Sequence, residues 1–255
     1  MSSAHATDFC ERTNQDIAQL LVDPANRIGF KNNGGLFNGG VCWWHSRLQR
    51  SSIYLAQFKP EADLPTDSQV EEILTSLRKM DHVVVIPGFK DFQSFSSQYQ
   101  KQVQKTLDHW QFIDGFINQE WIRGISGKSS LPASEMKAQM DKILDSYLKS
   151  PTPIWIMLQI KGITSHALLV MEMKPTDDGY QLSVIDSNHP QDSRTISYHE
   201  GDTYLSLGDM DFVPYVGFQN DFKSIFAAIQ ETCKNTSFND KSIPMGEIEL
   251  NTISQ

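Results

Sequence analysis

Residues 165–188 read SHALLVMEMKPTDDGYQLSVIDSN, with two apolar runs on either side of a polar segment. The apolar runs extend from Ala167 to Met173 and from Tyr180 to Ile185. The segment between them, Pro175 to Gly179, combines a proline, two aspartates and a glycine, which together favour a tight turn. The stretch therefore predicts an antiparallel β-hairpin.

The rest of the chain divides into a helical part and a sheet part. Further strands are predicted at Ile154 to Ile160 and at Phe212 to Phe218. Before Pro151 most apolar residues follow helical spacing instead, apart from a short predicted strand at Val83 to Ile86. This spacing is clearest in the set Val70, Ile73, Leu74, Leu77 and Met80, and in the set Met136, Met140, Ile143, Leu144 and Tyr147.

Helices that precede an antiparallel sheet are typical of the α+β class. We expect a helical lobe over residues 1–150 and an antiparallel sheet lobe over residues 151–235. We expect a polar tail over residues 236–255 to follow them, and the whole to form one domain.

Composition narrows the possible functions. The 255-residue chain has a net charge of −9 and no cluster of lysines and arginines, which argues against a nucleic-acid partner. No apolar stretch approaches the roughly 20 residues that a membrane-spanning helix needs. The spacings typical of metal sites and of phosphate-binding loops are also absent from the sequence, so we expect no cofactor and no metal.

Cys42 lies at the end of a glycine-rich stretch that begins at Asn33, and it precedes a predicted helix that runs to Pro60. Glycines allow the backbone to approach a substrate carbonyl without a side-chain clash. A helix that begins at the cysteine would point the positive end of its dipole at the sulfur and favour the thiolate. The stretch therefore suggests both a nucleophile and an oxyanion site.

Two residues of the predicted hairpin could assist that nucleophile. His166 opens the first strand and Asp186 ends the second, so the turn makes them neighbours. A cysteine nucleophile requires a base and a group that orients the base. His45 is the main alternative base, but it would share the Cys42 helix face and block an approaching carbonyl; His189 would line the cleft or lie in a surface loop.

Three patches of the chain resemble papain-like cysteine peptidases, most closely the YopT-like bacterial branch. They are the Gly-Gly-Val-Cys42 entry to a helix, the strand that opens with His166, and Asp186-Ser187-Asn188 after the next strand. The resemblance implies a helical lobe packed on a sheet lobe. It also implies a protein or peptide substrate, with Cys42 as nucleophile, His166 as acid and base, and Asp186 as the orienting acid.

The resemblance further implies a polar side chain upstream of the cysteine that donates to the oxyanion beside the Cys42 backbone N–H. Papain has a glutamine six positions before its cysteine, where this chain has Leu36. Asn38 and Asn33 are the available substitutes. The same triad would also serve an acyltransferase or a transglutaminase-like enzyme, and a non-catalytic binding module on the same scaffold is a further alternative.

The other two cysteines bear on localisation. Cys10 and Cys233 either form a disulfide between the chain ends or, for Cys233, continue the apolar face of a final helix. Ala4-His5-Ala6 resembles the end of a cleaved secretory signal. We therefore expect an exported protein, periplasmic or secreted, with a cytoplasmic location as the alternative; the sequence leaves the oligomeric state open.

Overall fold

The computed structural model describes residues 9–33, 41–117, 127–149, 153–162, 164–216 and 221–234. The glycine-rich segment 34–40, which includes Asn38, lies outside the described residues. So do the Ala4-His5-Ala6 string and the polar tail 236–255.

Helices and strands alternate through the first part of the chain and strands dominate the second. The helices are α1 (Asn14–Val22), α2 (Cys42–Leu55), α3 (Asp67–Lys79), α4 (Phe92–Gln98), α5 (Gln100–Trp110), α6 (Ala133–Lys149) and α7 (Asp221–Cys233). The strands are β1 (Ala56–Lys59), β2 (Val84–Pro87), β3 (Ile154–Gln159), β4 (Ser165–Thr176), β5 (Gly179–Asp186), β6 (Ser193–His199), β7 (Leu205–Leu207) and β8 (Met210–Val216). A π-helical segment, Gln111–Ile117, follows α5.

The predicted hairpin is present as β4 and β5. Thr176 pairs with Gly179, so Asp177 and Asp178 form the turn. The hairpin belongs to a six-stranded sheet in the order β6-β5-β4-β3-β8-β7, in which every pair of neighbouring strands is antiparallel. The mixture of helices with an antiparallel sheet agrees with the predicted α+β class.

The helix that follows Cys42 is shorter than predicted. It ends at Leu55 rather than at Pro60, because Ala56–Lys59 is extended and pairs in parallel with Val84–Pro87. Pairing with a distant strand therefore overrides the local helical pattern, as tertiary contacts often do. Pro60 ends the strand instead of the helix.

Helix α2 lies in the centre of the protein, and all but one of its residues are buried. Trp43 packs against Trp155 of β3, and the Ser46 hydroxyl lies 3.4 Å from the Ala167 carbonyl oxygen in β4. The buried guanidinium of Arg50 pairs with Asp221 at the start of α7. Helix α2 is therefore fixed against the sheet and against the last helix.

A disulfide joins Cys10 to Cys233, which are 223 positions apart in the sequence. It ties the short helical turn Phe9–Glu11 to the end of α7. Cys233 is also buried among apolar residues. Both predictions for this cysteine, a disulfide and a place on the apolar face of the last helix, are therefore confirmed. None of the described helices is long and apolar enough to cross a bilayer.

Candidate active site

Cys42 is the first residue of α2, as the sequence predicts. Val41 precedes the helix in a non-helical conformation and provides no side-chain cap. The first N–H groups of a helix have no partner within the helix, so those of α2 are available near the cysteine. Cys42 is a free thiol with 7% of its surface exposed.

His166 and Asp186 contact each other across the hairpin. The His166 Nε2 atom donates to Oδ1 of Asp186 at 2.7 Å, and both side chains are buried. Asp186 lies opposite Leu168, which is two positions from His166 and therefore on the same face of β4. A β-bulge between Val170 and Glu172 sets this register.

Cys42 lies close enough to His166 for its charge and its side chain to act on the pKa of the imidazole. Because Nε2 is bonded to Asp186, Nδ1 is the ring nitrogen that remains for the sulfur. Burial lowers the pKa of His166, but the charge of Cys42 and hydrogen bonds with Asp186 and Cys42 outweigh burial and raise that pKa to about 10. The imidazolium form of His166 is therefore favoured between its two partners.

Asp186 has two further partners. Oδ1 also accepts the Asn188 backbone N–H at 2.8 Å, and the Arg194 guanidinium lies 3.6 Å from Oδ2. Burial raises the pKa of Asp186, but the His166 hydrogen bond and charge, the Asn188 N–H and Arg194 together hold the pKa below its usual value. Asp186 is therefore an anion near neutral pH, which suits it to orient and stabilise an imidazolium.

His45 and His189, the two other histidines that the sequence places as candidates for the site, lie in different environments. His45 is buried and its Nε2 atom lies 3.1 Å from the Phe30 carbonyl oxygen. Burial lowers the pKa of His45 to about 4, although the Phe30 hydrogen bond opposes this effect. His45 is therefore a neutral donor to the backbone near pH 7. His189 is half-buried in the turn after Asp186, and its backbone N–H donates to the Asp186 carbonyl oxygen.

The predicted oxyanion donors remain predictions. Asn33 is exposed, and its backbone carbonyl accepts from the Gln104 side chain at 2.8 Å. Asn38 lies outside the described residues. Among the described residues, Asn32 contacts the backbone just before Cys42: its Oδ1 accepts the Val41 N–H at 2.6 Å.

Three residues near the site are not predicted from the sequence: Asn32, Arg194 and Tyr215. Asn32 and Arg194 come close to the candidate site only through the fold. The sequence signal of Asn32 is its position beside Asn33, immediately before the glycine-rich segment. Arg194 follows Asp186 by eight positions, in the strand that pairs with β5.

Tyr215 lies on β8 opposite Met157. Its hydroxyl is buried and has no hydrogen-bond partner among the described residues. Burial and the charge of Cys42 both raise the pKa of Tyr215, so the hydroxyl stays protonated. Tyr215 also lines a cavity of about 360 Å³ with Gln159, Val213 and Pro214 on one side and residues of α6 on the other.

The described ranges contain no group of three histidine, cysteine, aspartate or glutamate side chains that could hold a metal ion. Comparison of the chain with models of protein families, with curated proteins and with solved structures gives no match. The function is therefore inferred from the geometry of the site alone.

Proposed function

We propose that the protein is a papain-like cysteine peptidase that hydrolyses a peptide or related amide bond through Cys42, His166 and Asp186. The observation that carries this proposal is that three groups come together in the fold. The His166 ring donates to the Asp186 carboxylate at 2.7 Å, and Cys42, at the start of α2, is close enough for its charge to raise the His166 pKa. A nucleophile, a base and an orienting acid in hydrogen-bond contact are what covalent acyl transfer requires.

The proposed reaction starts from a Cys42 thiolate beside an imidazolium at His166. The sulfur attacks the substrate carbonyl carbon, and the C–N bond breaks as Nδ1 of His166 gives its proton to the leaving amine. This leaves a thioester on Cys42 and a neutral imidazole. His166 then takes a proton from water, the resulting hydroxide attacks the thioester, and the acid product leaves with Cys42 and His166 restored.

Asp186 holds the imidazole in place through Nε2 and stabilises its charged form. Preorganised N–H donors stabilise the oxyanion that forms on the carbonyl oxygen. The Cys42 backbone N–H is one proposed donor, and Asn33 or Asn38 supplies the second. The neutral state of His45 supports the choice of His166 as the base.

The variant Cys42→Ala tests the proposal. We expect it to abolish cleavage of fluorescent casein and of a library of quenched peptides, since loss of a triad nucleophile costs several orders of magnitude in kcat. Its melting temperature should stay close to that of the wild type. His166→Ala should lose activity to a similar degree, whereas a turnover rate retained in Cys42→Ala would rule the mechanism out.

An amine acceptor added to the same assay tests the acyltransferase alternative. Hydrolysis alone, without an amine-linked product, supports a peptidase. A product that forms only with the amine would assign the triad to acyl transfer onto an amine instead. Absence of both products, with a Cys42 no more reactive to iodoacetamide than a free thiol, would favour a binding module.

We further propose that the protein is exported and works in an oxidising compartment. The Cys10–Cys233 disulfide supports this location, because disulfides persist mainly in secreted and periplasmic proteins. A labelled chain found with the disulfide reduced and in the cytoplasm would contradict it.

A further inference from the structure

Asn32 joins the backbone before the nucleophile to the turn after the orienting acid. Its Oδ1 accepts the Val41 N–H at 2.6 Å, and its Nδ2 donates to Oδ1 of Asn188 at 3.0 Å. Its own backbone N–H donates to the Ser187 carbonyl oxygen at 2.8 Å. Asn32 therefore makes three hydrogen bonds that reach both sides of the candidate site.

These bonds close a ring of contacts with the triad. Asn188, which accepts from Asn32, also donates its backbone N–H to Asp186 at 2.8 Å. Asp186 bonds to His166, and His166 is close enough to Cys42, the residue after Val41, for the Cys42 charge to act on it. A movement of the Asp186 turn relative to the start of α2 would therefore break the bonds of Asn32 together with those of the triad.

We propose that Asn32 is a positioning residue that fixes the distance between the Cys42 sulfur and the His166–Asp186 pair. This inference rests on the proposed function and extends it to a residue outside the triad. Asn32 acts through the Val41 N–H on one side and through Asn188 on the other. Neither contact involves the reacting atoms.

The side chain of asparagine suits this position because its amide offers an acceptor and a donor at one end. Val41 is fully buried, so its N–H would lose a partner that water does not readily replace. Asn188 is exposed, so a water molecule can replace Asn32 as the donor to the Asn188 side chain. The bond to Val41 is therefore the one whose loss should displace the nucleophile most.

The fold does not depend on Asn32 alone, because other bonds hold the same segment. The Arg27 guanidinium donates to the Ser193 hydroxyl at 2.8 Å, and Gln191 donates to the Ile28 carbonyl oxygen at 2.7 Å. On the α2 side, Gln49 accepts the Ile28 N–H at 2.6 Å. Loss of the Asn32 side chain should thus disturb local alignment and leave the segment in place.

The test compares Asn32→Leu, which removes both side-chain bonds, with Asn32→Asp, which keeps an acceptor for Val41. In the second variant the Asn188 amide can rotate and donate to the other carboxylate oxygen, so the bridge is restored. Lys31→Leu, an exposed change one residue away, is the matched control. The readouts are the rate at which iodoacetamide alkylates Cys42 at pH 6, the kcat and KM for a cleaved peptide, and the melting temperature.

We expect Asn32→Leu to alkylate about tenfold more slowly, the change that about 1.4 kcal/mol of misalignment produces. Its kcat should fall by a similar factor with KM nearly unchanged. Asn32→Asp should recover most of both rates, and Lys31→Leu should match the wild type. The proposal fails if Asn32→Leu alkylates at the wild-type rate, or if Asn32→Asp is as impaired as Asn32→Leu.

Alkylation needs no substrate, so this test separates the two proposals. A wild type that cleaves no peptide but shows the alkylation pattern would refute the peptidase and keep the positioning role. A wild type that cleaves peptides, with Asn32→Leu equally active and equally reactive, would refute the positioning role alone. If Asn32→Leu fails to fold, Asn32→Ala, which removes the same two side-chain bonds without added bulk, takes its place. A wild-type alkylation rate in Asn32→Ala would refute the proposal.

Discussion

Asp186 faces His166 because β4 contains one extra residue. The turn pairs Thr176 with Gly179, and an unbroken register from that pair would put Asp186 opposite Leu169. The β-bulge between Val170 and Glu172 shifts the register by one position, so Asp186 lies opposite Leu168 instead. A shift of one residue exchanges the two faces of a strand, and here it turns the carboxylate toward the imidazole.

The charge of Asp186 is expected to set the alkaline limit of activity. The His166 pKa is raised to about 10, and Asp186 is one of the groups that raise it. Asp186→Asn keeps an oxygen acceptor but removes the negative charge, so the His166 pKa should fall. We expect the alkaline limb of the kcat/KM profile to move down by ~1 pH unit or more, the equivalent of about 1.4 kcal/mol.

The sign of the effect on stability follows from the same shift. A histidine whose pKa is raised on folding stabilises the protein below its usual value of 6.5, and the stabilisation is lost as the pH rises toward 10. In Asp186→Asn the free energy of unfolding should therefore fall less between pH 6.5 and pH 10 than it does in the wild type. Asp209→Asn, in an exposed turn, is the control. If the alkaline limb does not move in Asp186→Asn, Asp186 is not the group that raises the His166 pKa.

His45 is expected to be structural. Its Nε2 atom contacts the Phe30 carbonyl, and burial keeps its pKa at about 4. His45→Gln should preserve a donor to that carbonyl and retain activity. His45→Ala should leave the carbonyl without this partner and lower the free energy of unfolding by about 1–3 kcal/mol.

Urea denaturation and the activity per folded molecule measure the two effects of the His45 variants. His166→Ala provides the contrast, with full loss of activity. If His45→Gln proved as inactive as His166→Ala while remaining folded, His45 would have to be considered as the base.

The elements that carry the triad could be predicted because each has a local signal. Pro175 to Gly179 is a strong turn sequence, so the hairpin and the proximity of its outer ends follow from the chain. The start of α2 at Cys42 follows from the glycines before it. The bulge could not be predicted, because nothing in the sequence around Met171 distinguishes it from a regular strand.

Contacts between segments far apart in the chain also could not be predicted from the sequence. Strand β1 forms only because Ala56–Lys59 meets Val84–Pro87, and no local pattern marks that pairing. Asn32 comes close to Asn188 although 156 positions separate them. Such contacts depend on how the segments pack, so the site residues that depend on them could not be found from spacing.

The disulfide is expected to stabilise the fold without affecting the chemistry. It closes most of the chain into a loop, and removal of a native disulfide typically costs about 2–5 kcal/mol. We expect Cys10→Ser/Cys233→Ser to lower the urea midpoint accordingly. Activity below the transition should remain, because Asp221 still pairs α7 with Arg50 of the nucleophile helix.

Cys42→Ala serves as the background for the stability measurement, since it prevents exchange between the free thiol and the disulfide. In that background a reductant should lower the midpoint of the parent and leave the double variant unchanged. Equal midpoints for parent and double variant under oxidising conditions would show that the disulfide contributes nothing.

Tyr215 is expected to contact the substrate. Its hydroxyl is buried without a partner among the described residues, and the charge of Cys42 acts on its pKa. Tyr215 also lines the cavity between β8 and α6. Tyr215→Phe removes a buried polar group that has no partner, so stability should stay the same or rise slightly. If the hydroxyl bonds to bound substrate, kcat/KM should fall by about 2- to 10-fold, as expected for about 0.5–1.5 kcal/mol.

Tyr198→Phe provides a matched control for this variant. The Tyr198 hydroxyl is also buried and without a partner among the described residues, but it lies on β6, where its ring stacks on Tyr180. Both variants lose the same atom, so their stabilities should change alike, and only Tyr215→Phe should lose activity. We would measure kcat/KM of both variants on a library of peptides that differ at each position. If the two variants are equally active on every peptide, the substrate does not contact the Tyr215 hydroxyl.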